Sequence, residues 1–67
     1  MSIAKVIEIS SQSSKSFEDA IQEGIRRTAK TVDKVESAWV KEMHVEVENG
    51  QVTGYRVHLK VTFLLTT

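Results

Sequence analysis

Cysteine is absent from the 67 residues, and so is proline. Without thiols there can be no disulfide, no thiolate metal site and no thiol nucleophile. Two histidines, His44 and His58, fall short of a structural zinc site unless carboxylates complete it. Neither sign of charge predominates: nine basic and nine acidic residues cancel, which argues against a nucleic-acid partner. No apolar run approaches the roughly 20 residues needed to span a bilayer. Met1-Ser2-Ile3-Ala4-Lys5 also lacks the charged start and following apolar stretch of a secretory signal. The expectation is a single domain over residues 1–67, soluble and cytoplasmic, with no membrane partner. A chain this short buries only about 60% of the surface its unfolded form exposes. With no disulfide to staple it, self-association is the expected source of stability.

What is present orders itself into four elements. Ile3-Ala4-Lys5-Val6-Ile7-Glu8-Ile9 is short and rich in β-branched residues, so it predicts a strand. Ser10 to Ser14 reads as a polar loop, with Ser14 or Ser16 available as a helix N-cap. Ser16 followed by Asp19 resembles a capping box, and Glu18 and Asp19 suit the positive end of the helix dipole. From Phe17 the small and apolar residues fall at Ala20, Ile21, Gly24, Ile25, Thr28 and Val32. Those steps of three and four predict a helix running to about Asp33, with Glu23 and Arg27 as a surface pair. Asn49-Gly50 between two alternating segments predicts a hairpin with a two-residue type I′ turn.

That turn sets a register in which Ser37 faces Thr62, Trp39 faces Lys60, Lys41 faces His58 and Met43 faces Arg56. On the other side Ala38 meets Val61, Val40 meets Leu59 and Glu42 meets Val57. The side carrying Tyr55, Val57, Leu59, Val61 and Phe63 is the one for the helix to cover. Glu42 fits it badly, so a bulge or a marginal carboxylate is expected nearby. The fold class is therefore α+β: β-α-β-β, a three-stranded antiparallel sheet with one helix packed on one face.

One helix leaves the other face bare. The register gives that face Ser37, Trp39, Lys41, Met43, Val45, Val47, Val52, Arg56, His58, Lys60 and Thr62. An exposed patch bearing the chain's one tryptophan is read as an interface between subunits or a ligand surface within it. Tryptophan beside arginine and lysine suits a flat aromatic ligand fixed by polar groups at its edge. Catalytic chemistry finds little to use. The serines read as a loop and a cap, and Gly24, Gly50 and Gly54 are too isolated to cradle a phosphate. Glu46 and Glu48 share a strand face and are either solvated or able to ligate a hard cation with a neighbouring chain. His44 and His58 fall on opposite faces in this register, which disfavours a metal shared within one chain.

In this element order the sequence resembles the dodecins, small flavin-binding proteins that assemble as hollow dodecamers. The resemblance spans nearly the whole chain. It rests on Ala4-Lys5-Val6-Ile7-Glu8-Ile9, Ser16-Phe17-Glu18-Asp19-Ala20-Ile21, Trp39-Val40-Lys41-Glu42, Val45-Glu46-Val47-Glu48-Asn49-Gly50 and Tyr55-Arg56-Val57-His58-Leu59-Lys60-Val61-Thr62-Phe63. It implies a non-enzymatic homododecamer that stores riboflavin or FMN between subunits. The family's stacking tryptophan corresponds to Ser37, with Trp39 two residues later on the same strand face. The family's flavin-edge glutamine corresponds to Arg56, which can only donate hydrogen bonds, and a basic position of some members corresponds to His44. Trp39, Arg56, Ser37, His44 and Lys60 are accordingly the expected cofactor-binding residues. Relatives without the stacking tryptophan include cation binders, so a flavin-free structural shell or a calcium-type shell is the alternative.

Overall fold

The computed structural model describes residues 3–65. Strand β1 spans Ile3–Ser13, helix α1 Phe17–Thr28, β2 Val35–Glu48 and β3 Gln51–Leu65. All pairing is antiparallel, in the order β1-β3-β2, so the last strand is the central one. The β-α-β-β order and the three-stranded sheet with one helix are as the sequence predicts. Among these residues no helix is long and apolar enough to cross a membrane.

Two boundaries differ from the expectation. Ser10–Ser13 is not a loop: it extends β1 and pairs with Tyr55–His58 of β3. Its side chains are polar because two of them serve the helix. The Ser11 hydroxyl donates to the Ala20 carbonyl at 2.7 Å, and that of Ser13 donates to the Asp19 carboxylate at 2.6 Å. The helix also stops at Thr28 instead of near Asp33. Amides of Lys30, Thr31 and Val32 bond back in tight turns to Arg27 and Thr28, and Lys34 adopts a left-handed φ of 57° that turns the chain into β2.

The helix start is as predicted. The Asp19 amide donates to the Ser16 hydroxyl at 2.9 Å, and Glu18 and Asp19 fill the first turn. The ion pair on the outer surface joins Glu23 to Arg26, not Arg27, one turn-length apart at i and i+3. At the hairpin, Asn49 and Gly50 both take positive φ, 51° and 75°, as a type I′ turn requires.

The core is small. Ala20, Val57, Leu59 and Val61 are fully buried, with Ile7, Ile9, Phe17, Ile21, Ile25, Val35 and Val40 packed around them. Phe17 meets Tyr55 edge to face at 5.1 Å. A 12-residue helix is about 18 Å long, whereas the molecule extends 51 Å. The helix lies over β1 and β3, and the Asn49-Gly50 end of the hairpin extends past β1, whose last pair is Ser13 with Tyr55.

Pairing between β2 and β3 follows the predicted register at Ser37–Thr62, Ala38–Val61, Trp39–Lys60 and Val40–Leu59. It then shifts by one residue between Val40 and Glu42, leaving Lys41 without a partner, and shifts back between Glu46 and Val47. The anticipated bulge beside Glu42 is therefore present, and it overturns the pairs drawn beyond it. Glu42 faces His58 instead of Val57, Met43 faces Val57 instead of Arg56, and His44 faces Arg56. The cause is the cost of desolvation: without the shift the Glu42 carboxylate would point at buried Val57.

Candidate functional site

The open face of the sheet is assembled by period-two alternation on three strands. β3 contributes Arg56, His58, Lys60 and Thr62, and their partners place Glu8, Ser10 and Gln12 of β1 beside them. β2 contributes Ser37, Trp39, Glu42, His44 and Glu46. The shift at Lys41 removes Met43 and Val45 from this face and puts them on the helix side, where α1 does not reach. Val47 and Val52, paired beyond the second shift, leave with them. The face is consequently more polar than the unbroken alternation predicts.

At one end stands Trp39, still 65% exposed. The Lys60 ammonium lies 5.2 Å from its ring centroid, a cation–π contact that holds the indole against the sheet. Ser37 is on the next outward-facing rung, opposite Thr62. Lys41, freed from pairing, reaches across β3 to the Glu8 carboxylate at 3.3 Å.

Arg56 occupies the middle of the face and is tied down on both sides. Its Nη1 donates to the Ser10 hydroxyl at 2.7 Å and its Nη2 to the Gln12 carbonyl oxygen at 2.6 Å. The Glu46 carboxylate stands 3.9 Å from its Nε. His44 lies opposite Arg56, its Nε2 3.8 Å from Glu46. Its ring also stacks beside His58, with centroids 5.7 Å apart and planes inclined by 30°. The two histidines thus share a face, contrary to the reading that separated them, because the shift at Lys41 changes which side His44 takes.

All five expected binding residues lie on the open face: Ser37, Trp39, His44, Arg56 and Lys60. The chain joins Trp39 to Lys60, and His44 to Arg56. It does not join Trp39 to Arg56. Trp39 sits level with Lys60, four residues along β3 from Arg56, which is about 13 Å at ~3.3 Å per residue. Ser10 and Gln12 belong to this site and were missed, because a serine-rich stretch reads as a loop. The alternation Glu8, Ser10, Gln12 against Ile7 and Ile9 is the signal that could have recovered them.

A concavity of about 350 Å³ between α1 and the β1 edge is lined by Ile9, Ser10, Gln12, Glu23, Gly24 and Arg27 among others, with no aromatic ring among them. Among the described residues no three His, Asp or Glu side chains stand at metal-ligand spacing.

Comparison with known proteins places this architecture. The dodecin family model matches residues 3–66. A protein of Mycobacterium tuberculosis named calcium dodecin is 36% identical over 63 residues, which is 94% of this chain and 89% of that one. A crystal structure of a Thermus thermophilus dodecin point variant superposes with a TM-score of 0.94 at 30% identity, covering 100% of both chains. The crystal structure of the M. tuberculosis protein, described as having a novel calcium-binding site, superposes with a TM-score of 0.83 at 34% identity, over 96% of this chain and 91% of that one.

Proposed function

The chain belongs to the dodecin family, and from that premise we propose that it is a non-enzymatic binding protein of the cytoplasm. It forms a homododecamer that stores a planar aromatic cofactor, riboflavin or FMN, between subunits. The observation that carries this reading is Trp39, the chain's one tryptophan, exposed on a mostly polar sheet face and steadied by Lys60. Trp39 stacks on the isoalloxazine ring. Arg56 donates to the flavin carbonyl oxygens, while His44 and Lys60 approach the ribityl or phosphate end, and Ser37 gives room beside the ring.

The spacing supports a site shared between copies. Trp39 and Arg56 of one chain are too far apart along β3 to hold both the ring face and the edge of one flavin. A second copy brings its own Arg56 to the first copy's Trp39, and the two sheet faces together enclose the ligand. Arg56 retains free N–H groups after serving Ser10 and Gln12, so it can still donate to a ligand.

Titration of riboflavin and of FMN into the apo-protein, followed by flavin fluorescence, tests the reading. Stacking on indole is expected to quench the emission strongly, and Trp39→Ala is expected to abolish the quenching while light scattering still reports about twelve chains. Unquenched flavin at tens of micromolar, or normal quenching by the variant, would overturn it.

A second reading, a cation-stabilised shell, is favoured by the calcium dodecin relative and by Glu8, Glu42 and Glu46 on the open face. It predicts a melting temperature that falls with chelator and recovers with calcium.

A further inference from the structure

The stacked imidazoles of His44 and His58 are not used by the calcium reading, and their pairing does not depend on a bound flavin. We propose that His44 and His58 form a two-histidine site for a borderline divalent transition metal of the zinc or nickel class, with Glu46 as the adjoining carboxylate.

The spacing fits. A ligating nitrogen lies ~2.0–2.1 Å from zinc and about 1.1 Å from its ring centre, so two imidazoles on one ion have centroids at most about 6.4 Å apart. The observed separation is 5.7 Å. His58 neighbours Arg56, the direct partner of His44, so the pair is a cross-strand diagonal held by the ladder itself. The rings are stacked with their planes inclined by 30°, so binding one ion requires both to turn about Cβ–Cγ, a soft torsion, until their in-plane nitrogens converge. His44 is about half exposed, so its ring turns without displacing core atoms.

The donor chemistry selects the ion. Imidazole suits zinc, nickel and copper, whereas calcium takes oxygen ligands. Glu46 stands 3.8 Å from His44 Nε2, and Glu42 faces His58 directly. The two carboxylates offset the charge of Arg56 and Lys60 around an incoming dication. Because no third donor is at ligand spacing among the described residues, the remaining positions fall to water or to Glu46 after a change of rotamer. That is an open site, not a closed structural one.

Equilibrium dialysis of the flavin-free full chain against Zn²⁺, with metal content measured per chain, tests the proposal. Wild type is expected to take up zinc, and His44→Ala and His58→Ala are each expected to weaken uptake by about 100-fold or more, since losing even a residue that only supports a metal ligand costs about 10–100-fold. His58→Gln, close in size, should weaken it equally while light scattering and circular dichroism stay unchanged. Absence of zinc uptake by wild type, undiminished uptake by either alanine variant, or displacement of zinc by equimolar calcium would overturn the proposal. None of these outcomes depends on whether flavin binds.

Discussion

Neighbouring residues of β3 live in different surroundings. Val57, Leu59 and Val61 are 0–1% exposed beneath the helix, while Arg56, His58 and Lys60, interleaved with them, face outward and find only partial cover. One face is completed by the chain's own helix, with apolar contacts that need no partner. The other is completed sideways, by Arg56 to Ser10 and Gln12, Lys41 to Glu8 and Lys60 to Trp39, and none of the described residues is packed above it as the helix is above the first. Odd positions of one strand thus build the core, while even positions line the face proposed for ligand binding. The burial on the helix side is slight for a domain of this size, which is why the second face is expected to be covered by other copies.

Leu59→Ala should break the contrast most severely. Removing a fully buried leucine costs about 2–5 kcal/mol, enough to unfold a marginal domain, and denaturant unfolding monitored by circular dichroism should show it. Ser16→Ala loosens the helix that does the covering. Loss of its cap to the Asp19 amide should cost about 1 kcal/mol, read as a lower denaturation midpoint with unchanged slope. Lys60→Ala, one residue from Leu59 but on the other face, should cost only about 0.5–1 kcal/mol, the worth of an exposed cation–π contact. A loss as large as that of Leu59→Ala would show that the open face carries the fold.

The smallest effect belongs to neither face. The hydrogen bond from Arg26 holds the Glu23 carboxyl below the ordinary carboxylate range. The pair's contribution is therefore present above the unfolded carboxylate pKa and lost as pH falls through the lower folded value. An NMR titration should find Glu23 ionising at lower pH than an unpaired glutamate, and Arg26→Ala should return it to normal.

The parts legible in the sequence are those governed by neighbours along the chain. Ser16 and Asp19 mark the cap, Asn49-Gly50 marks the turn, and the alternation from Tyr55 to Phe63 marks the buried side. What escaped depends on contacts distant in sequence. Ser11 and Ser13 are strand residues because helix groups nine and six positions away accept their hydroxyl protons. His44 joins His58 because the sheet sheds Lys41 from its ladder to keep Glu42 off the core. A misfit at Glu42 was visible from alternation; the position that would absorb it was not. The helix end was misjudged because Val32 continues the apolar spacing while Lys34 reverses the backbone.

Of the three register shifts between β2 and β3, the two nearer the turn, at Lys41 in β2 and near Thr53 in β3, are opposed and cancel, so Glu48 still meets Gln51. Each is a place where the ladder skips a residue without losing a rung. An indel at either point alters chain length and leaves every rung presenting the same side chain to the same side. Homologous hairpins that differ by one residue there can keep identical surfaces, while an ungapped alignment across them would interchange inside and outside. Equivalent positions in this hairpin are better counted by rung than by residue number.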